Sequence, residues 1–578
     1  MKPIDFFNFP QTVAQKQYEA LRMFFVEKMM VAQVAQKYGY TYRGLTTIIA
    51  NFRKELKDGK SKELYFKDLK HGRREVGQES KDVIISLRKK YYSVEDIKVA
   101  LDSKGFKISE KSIYNIIHQQ GFARLPRRQK LTKKSLGPTG LKADKSVSLT
   151  FIPESFKSAS AGVLCLLPYI KKYGLSQIIE ASDFPATTQI SKQSSILAFI
   201  ALKSSNARRY TADDLWCMDR GLGLFAGLNV LPKAAWFSSY SHRVSREMNL
   251  KFLKLLHSNW KAHGLLGDTA NLDFTTIPYW GDNGHLENNW SGKRGKALAG
   301  MLAVLAQDPD SGIIDYGDTN VMHKYESAVV LEFIDFYGKD SNGKRDLKYL
   351  AFDSKFTNYQ NLSKLDDDGI KFITIRRRGK NIVDRLNSLP QKEWKTIRVE
   401  RAGNKKATIK VLDENVFLKG YNKEIRQISI TGHGKIKPAT IIANDFELTI
   451  EQVVRKYARR WIVEKSISEQ IEFFHLNNVS SSMVIKVDFD LTMSIVTHNL
   501  FRIFAADTDR YKQKADQAIY DHFLDNAGDI LIDEKKISVD LKKKRALPLI
   551  LEKMNNFNGL KFEWLNNLEM NFNGATNS

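Results

Sequence analysis

The sequence predicts a multi-domain α and α/β chain, with small helical modules at the N-terminus and then an α/β domain interrupted by a β-rich insertion. Three observations predict it. At 578 residues the chain is longer than one hydrophobic core accommodates, and length alone points to roughly three or four domains. Charge is uneven: the net is +26, and residues 1–150 hold 31 Lys+Arg against 15 Asp+Glu, so 16 of the 26 excess charges sit in that segment. From about residue 270 onward, helical apolar periodicity gives way to short alternating patterns separated by turn residues.

Residues 1–66 read as a helix-turn-helix module. Helices are predicted over Tyr18–Glu27, Val31–Tyr38 and Thr41–Leu56. Val34, Ala35, Leu45, Ile48 and Ile49 supply the apolar positions, and Gly39 stands where the chain must reverse. Residues 67–123 repeat the logic with Lys81–Lys90, Ser93–Ser103 and Ser109–Gln119. Ser93 and Asp96 form a cap signature, and Ile113, Ile116 and Ile117 share one face. Residues 124–150 form a basic linker. Its stretch 124–145 holds eight basic residues, Arg124, Arg127 and Arg128 among them, against one acid. Such a segment can follow a phosphate backbone or serve as a solvated connector. A basic N-terminal region on a less basic body points to a polyanion, of which nucleic acid is the commonest.

Residues 151–262 are predicted helical, with periodic apolar stretches at Ile196–Leu202, Leu215–Phe225 and Met248–His257. Residues 263–380 then read as strands Ala270–Ile277, Ala299–Ala306 and Gly312–Gly317, helix Glu326–Tyr337, strand Leu347–Phe352, helix Asn358–Asp366 and strand Ile370–Arg376. Three antiparallel strands followed by helix, strand, helix and strand is the ribonuclease-H-like order. Residues 381–445 carry short β patterns at Lys395–Val399, Lys406–Val411, Ile425–Thr431 and Ala439–Ile442, a β-rich insertion. A long helix over Thr449–Phe474 opens the segment 446–510 and would complete the domain, leaving a C-terminal region at 511–578.

Several classes are excluded. No apolar run approaches the ~18 residues of a membrane span; the best, Ala161–Leu167, stops at Pro168. The N-terminus lacks the continuous apolar middle of a signal peptide. Cys165 and Cys217 are too few and too far apart for a disulfide framework or a thiolate zinc site. A reducing cytoplasm is the expected location.

Three acids carry the chemical reading. Two-metal phosphodiester chemistry needs carboxylates that converge on a pair of Mg²⁺ ions, at strand ends or on a helix facing them. In Asn271-Leu-Asp273-Phe-Thr275, alternation puts Asn271, Asp273 and Thr275 on one face. Asp353 ends an apolar strand at its carboxyl end, where α/β sheets place their sites. Tyr457, Arg460 and Glu464 share one face of the predicted long helix. Each acid singly could be a cap or a salt-bridge partner, Glu464 with Arg460 for example. Three like charges held near one another would make neutralised variants melt at the same or a higher temperature without metal.

The constellation resembles the DDE transposases of bacterial insertion sequences, specifically the group with the helix signature Tyr-x2-Arg-x3-Glu-x6-Lys. Tyr457, Arg460 and Glu464 match its first three positions, Asp273-Phe-Thr-Thr resembles the first motif, and Tyr349-Leu-Ala-Phe-Asp353-Ser-Lys-Phe the second. The resemblance covers roughly residues 190–505 and includes the β insertion. The signature lysine falls at Ile471; His475, five turns from Tyr457, or Lys465 would stand in for it. The resemblance implies that Asp273, Asp353 and Glu464 hold two Mg²⁺ ions, with Mn²⁺ as a substitute. It implies that Tyr457 and Arg460 hold transposon-end phosphates and that Lys293, Arg294 and Lys296 neutralise others. Trp394, the only tryptophan of the insertion, is a candidate for holding a flipped base or a small core residue. The implied partners are double-stranded DNA, as transposon ends and target, and further copies of the chain in a homodimer or larger complex. No membrane is involved, and the setting is bacterial or archaeal and nucleoid-associated. A catalytically inactive DNA-binding regulator and a ribonuclease-H-like nuclease are the competing readings.

Overall fold

The structure is a computed structural model that describes residues 8–58, 76–89, 92–103, 106–122, 149, 151–207, 216–279, 286–291, 295–338, 346–377, 379–401, 405–433, 438–460, 467, 472–476, 484–508 and 511–574. Residues Met1–Gly77 form one compact unit and Gln78–Ser578 another.

The first unit holds helices α1 (Val13–Phe25), α2 (Val31–Tyr38) and α3 (Tyr42–Lys57). Gly39 ends α2 in the left-handed conformation at φ 62°, and its N–H bonds back to the last turn. Thr41 then caps α3 by accepting from the Gly44 N–H at 3.1 Å. Ala20, Leu21, Val34, Ala35, Tyr38, Leu45 and Ile49 make the core, where Ala35 is small enough to let the helices close.

The second unit begins with α4 (Gln78–Lys89), α5 (Val94–Ser103) and α6 (Glu110–Gln119). Ser93 and Asp96 cap α5 reciprocally: the Ser93 hydroxyl accepts from the Asp96 N–H at 3.1 Å, and the Asp96 carboxylate accepts from the Ser93 N–H at 3.0 Å. Farther along lie α7 (Lys192–Ser204), buried from Ser195 onward, and α8 (Arg246–Ala262).

A ten-stranded mixed sheet follows. Its members are β2 (Thr269–Pro278), β3 (Asn288–Ser291), β4 (Lys296–Gln307), β5 (Ile314–Val321), β6 (Tyr349–Phe352), β7 (Lys371–Ile375), β8 (Lys395–Arg401), β9 (Lys405–Leu418), β10 (Tyr421–Thr431) and β11 (Ala439–Ala443). The order is β3-β4-β2-β6-β7-β11-β10-β9-β8, with β5 also on β4. β2, β4 and β5 are antiparallel neighbours, whereas β6 runs parallel to both β2 and β7. The strands between Lys395 and Ala443 thus continue this sheet, because β11 pairs antiparallel with β7. Helix α9 (Val329–Tyr337) connects β5 to β6, and α10 (Tyr359–Asp367) connects β6 to β7, with Asn358 as its cap. Residues 380–388, at the start of the segment read as β-rich but given no strand of their own, form a helix, α11 (Lys380–Ser388), with Leu386 buried.

Helix α12 (Ile450–Ala458) opens with a full capping box between Thr449 and Gln452. Helix α13 (Val484–Ala506) crosses β5 so closely that a Cβ on Gly317 would stand 2.7 Å from Ile495 Cδ1. A buried ionic knot joins α8, β5 and α13. Arg246 donates from Nη1 to Asp488 Oδ1 at 3.0 Å and to the Gly317 carbonyl at 2.9 Å, and Asn249 donates to Asp488 Oδ2 at 2.7 Å. Asn499 on α13 both donates to and accepts from the Ile314 backbone, satisfying the edge of β5 that lacks a strand.

β1 (Glu154–Ser158) belongs to a second sheet, with β12 (Gly528–Ile532), β13 (Lys536–Leu541), β14 (Lys561–Phe562) and β15 (Leu568–Gly574), in the order β1-β12-β13-β15-β14. The helical segment after residue 151 and the C-terminal region are therefore tied by a strand pair, Phe156 opposite Ile530. No described helix is long and apolar enough to cross a membrane, and Cys165 and Cys217 are buried and not joined in a disulfide.

Candidate active site

β2 places Asp273. Leu272 is buried in the apolar core on one face of the strand, while Asn271 and Asp273, on the other face, are also buried, so this strand carries two polar groups out of water. Such groups are tolerated only with partners. The parallel β2–β6 register ends at Leu272 opposite Phe352. Asp353 follows in extended backbone, φ −79° and ψ 167°. Asp273 and Asp353 are thus the residues that follow the last pair on each of the two neighbouring strands, and both act electrostatically on the same buried phenol, Tyr457.

The end of α12 closes over this pair. Arg460 donates from Nη1 to Asp273 Oδ2 at 2.7 Å, while the Phe274 N–H donates to Asp273 Oδ1 at 2.8 Å. Arg459 donates to the Pro309 carbonyl at 2.9 Å and pairs with Asp310, which pins the same helix end to the β4–β5 turn. Tyr457 is buried, with the Arg460 guanidinium 5.4 Å from its ring centre. Burial, with help from Asp353 and Asp273 and against Arg460, pushes the Tyr457 phenol up to about 12. It therefore stays protonated, and a hydrogen-bond donor, at neutral pH.

The opposite side of the strand ends is clamped by rings. Phe274, next to Asp273, stacks on Phe356, three residues past Asp353, with centroids 3.9 Å apart and planes within 7°. Phe356 also meets Phe352 edge-on at 5.9 Å. These contacts join the segments that follow the two acids, at about 0.5–1.5 kcal/mol per aromatic pair beyond burial.

Residues 268–500 match the family model described as a transposase DDE domain. The matched stretch begins one residue before β2 and includes Asp273, Asp353, Tyr457, Arg460 and Glu464. Among solved structures, the chain is similar to a cryo-EM structure of the piggyBac transposase synaptic complex with hairpin DNA. The two are 13% identical, with 63% of this chain and 80% of that chain covered and a TM-score of 0.31. No curated protein matches the chain.

The structure thus brings together Asp273, Asp353, Tyr457 and Arg460. Glu464, Lys465 and Ile471 lie outside the described residues, as do Lys293, Arg294, Arg124, Arg127 and Arg128. Lys296 is exposed at the start of β4. Trp394 is half-buried, between a short turn of 3-10 helix at Gln391–Glu393 and β8. The expected return of His475 to the Tyr457 face is corrected. His475 has φ 54°, which a right-handed helix cannot contain, and its Nε2 lies 2.8 Å from Asn206 Oδ1. Unbroken helical turns from Tyr457 therefore do not reach it. Sequence reasoning missed Arg459 as the anchor of the helix end; only its place beside Arg460 hinted at it. Glu464 was weighed as an ion-pair partner of Arg460; the partner described is Asp273, and Glu464 lies outside the described residues.

Proposed function

We propose that the chain is a DNA transposase of the DDE type, built on a ribonuclease-H-like core, that cleaves DNA at the ends of a mobile element and joins the freed 3′ ends to target DNA. The observation that carries this reading is the placement of Asp273 on β2 and of Asp353 just past the end of its parallel neighbour β6, each next in chain to the last paired residues Leu272 and Phe352, inside the segment matching a transposase DDE domain. The strand order β5-β4-β2-β6-β7, three antiparallel and then two parallel, supports the core assignment.

Two neighbouring carboxylates fit a hard divalent cation that keeps several waters. Among the described residues no group of three or more His, Cys, Asp or Glu side chains converges, so Asp273 and Asp353 are the described part of the donor set and Glu464 is its proposed third member. Bound there, magnesium or manganese would supply an activated attacking oxygen and a stabilised leaving oxygen. The chain's own residues do the rest. Arg460 and the Phe274 N–H hold the Asp273 carboxylate in a single orientation. Tyr457, kept neutral, can donate to a phosphate oxygen. The helical modules of residues 1–123 and the basic linker bind the element ends, with Lys293, Arg294 and Lys296 on neighbouring phosphates and copies of the chain pairing on DNA.

The test uses DNA flanking the gene. If it carries inverted repeats, labelled duplexes of those repeats should be nicked at one position with Mg²⁺ or Mn²⁺ and joined to a target plasmid. Cleavage without joining points to a nuclease. Binding without cleavage in either metal points to an inactive regulator and overturns the proposal.

A further inference from the structure

Asn271 is 1% exposed and lies two residues before Asp273, on the same face of β2. Its amide donates from Nδ2 to the Arg459 carbonyl at 3.3 Å, and its Oδ1 meets no donor among the described residues. Burying an amide with its acceptor unused is costly, and a leucine would fill similar space without that cost. The half of the amide that is used therefore carries the reason for a polar residue here.

What Asn271 holds is the end of α12. The Arg459 N–H closes the last turn on the Arg455 carbonyl at 3.0 Å, and the last carbonyls of a helix need partners from outside it. Asn271 supplies one. The Arg459 guanidinium is held by the Pro309 carbonyl and Asp310, in the β4–β5 turn. The Gly312 carbonyl of that turn accepts at 2.9 Å from Gln307, the cross-strand neighbour of Asn271. Arg459 is thus gripped at backbone and side chain, and the next residue, Arg460, reaches Asp273 at 2.7 Å. Asn271 and Asp273, about 7 Å apart on one strand face at ~3.3 Å per residue, therefore receive two successive residues of the helix end. A carboxylate oriented by an arginine is only as well placed as the backbone that carries the arginine.

We propose that Asn271 is a positioning residue of the metal site: by holding the Arg459 carbonyl it sets how Arg460 meets Asp273, and so fixes the carboxylate that takes the divalent cation. This rests on the transposase reading. Groups that orient a metal ligand without touching the metal tune its affinity strongly, because the ligand no longer has to be ordered on binding.

The experiment uses the full-length chain and Mn²⁺, whose free ion gives a sharp EPR spectrum that is lost on binding. The part of the bound Mn²⁺ that disappears in Asp273→Asn reports the site. Asn271→Leu should weaken that part about 10- to 100-fold, the range for losing a group that orients a ligand, and should raise the Mn²⁺ needed for nicking in parallel. Its melting temperature without metal should stay close to wild type, since the substitution also removes the unsatisfied Oδ1. In an Arg460→Met background, Asn271→Leu should cause no further loss of Mn²⁺ affinity, because it acts through Arg460. Circular dichroism checks that each variant folds, and the single variant decides alone if Arg460→Met does not. A folded Asn271→Leu with wild-type Mn²⁺ affinity overturns the inference, and if it also melts much lower, the role is merely structural. A loss in the Arg460→Met background as large as in wild type overturns it too. Wild-type protein whose Mn²⁺ binding is unaffected by Asp273→Asn removes the transposase reading itself, a result distinct from these.

Discussion

Arg460 and Asp273, 187 residues apart in sequence, form a buried ion pair at 2.7 Å between the end of α12 and the middle of β2. The pair joins β2 to the helix that follows β11, two elements of one compact unit. Breaking a buried pair by removing one partner costs about 3–5 kcal/mol because the other charge is left without compensation. Arg460→Met should therefore lower the free energy of unfolding, measured by urea denaturation, by that order, and the double variant Arg460→Met/Asp273→Asn should recover part of the loss. Strictly additive losses would mean that the two groups do not interact in solution.

Neutralising the acids separates chemistry from folding. Asp273→Asn, Asp353→Asn and Glu464→Gln should each abolish cleavage and joining while DNA binding persists, and double variants should be no worse than single ones. Stability should not follow the sequence-level expectation that all three variants melt at the same or a higher temperature. Asp353→Asn should conform to it, whereas Asp273→Asn should melt lower because Arg460 loses its anion. Asp268→Asn is the control. Its carboxylate is exposed and bonded to its neighbour Thr269, so activity should be retained. Loss of activity in Asp268→Asn together with retention in Asp273→Asn would mean the wrong acid has been assigned.

The acid limit of stability should be set in part by Asp516. This buried carboxylate lies 2.7 Å from His498 Nδ1 and accepts from Arg502 at 3.0 Å, while His498 Nε2–H donates to the Gly312 carbonyl at 3.0 Å. Burial alone would raise Asp516, but His498 and Arg502 outweigh it and hold the carboxyl below its usual range. A depressed folded value means the contribution is complete above the unfolded value, near 3.9, and is lost as pH falls through the folded one. Asp516→Asn should destabilise at pH 7 by about 3–5 kcal/mol, and the gap from wild type should close only in strongly acidic solution. A gap that closes between pH 7 and 5 would contradict this account.

Gly39 should be intolerant of substitution for a backbone reason alone. A Cβ there would meet only Lys16 Nζ, at 3.9 Å, but φ is +62°. Left-handed backbone costs an L-residue roughly 1–2 kcal/mol, with Asn the mildest replacement. Gly39→Val should weaken end-specific DNA binding and lower the melting of residues 1–77, while Gly39→Asn stays close to wild type. Equal behaviour of Val and Asn in a salt-controlled binding assay would show that the turn is not required.

Much of the fold was legible before any coordinate. Local patterning set β2, β6 and β7 to within a residue or two, and Ser93 announced its helix because a local side-chain oxygen must satisfy the first free N–H groups; Thr41, Asn358 and Thr449, the first residues of three other predicted helices, are caps in the structure as well. Helix α11 was less legible, since Ile382, Val383 and Leu386 lie between strand patterns and only one of them is buried. The helical run read from Thr449 to Phe474 is described as a helix over Ile450–Ala458, and its expected continuation to His475 fails because periodicity cannot reveal the positive φ of that residue.

For the candidate site, the sequence by itself determined the chemical types. It placed an acid inside a strand, an acid at a strand's end, and a tyrosine and an arginine one turn apart on a helix, because these depend on spacing along a single element. Only the tertiary structure decided which of them meet. The parallel register of β2 and β6 made Asp273 and Asp353 the residues that follow its last pair, the Phe274–Phe356 stack held that register, and the end of α12, anchored by Arg459, delivered Arg460 to Asp273. Strand pairing and helix docking are set by packing among residues tens to hundreds of positions apart, and no local pattern encodes that.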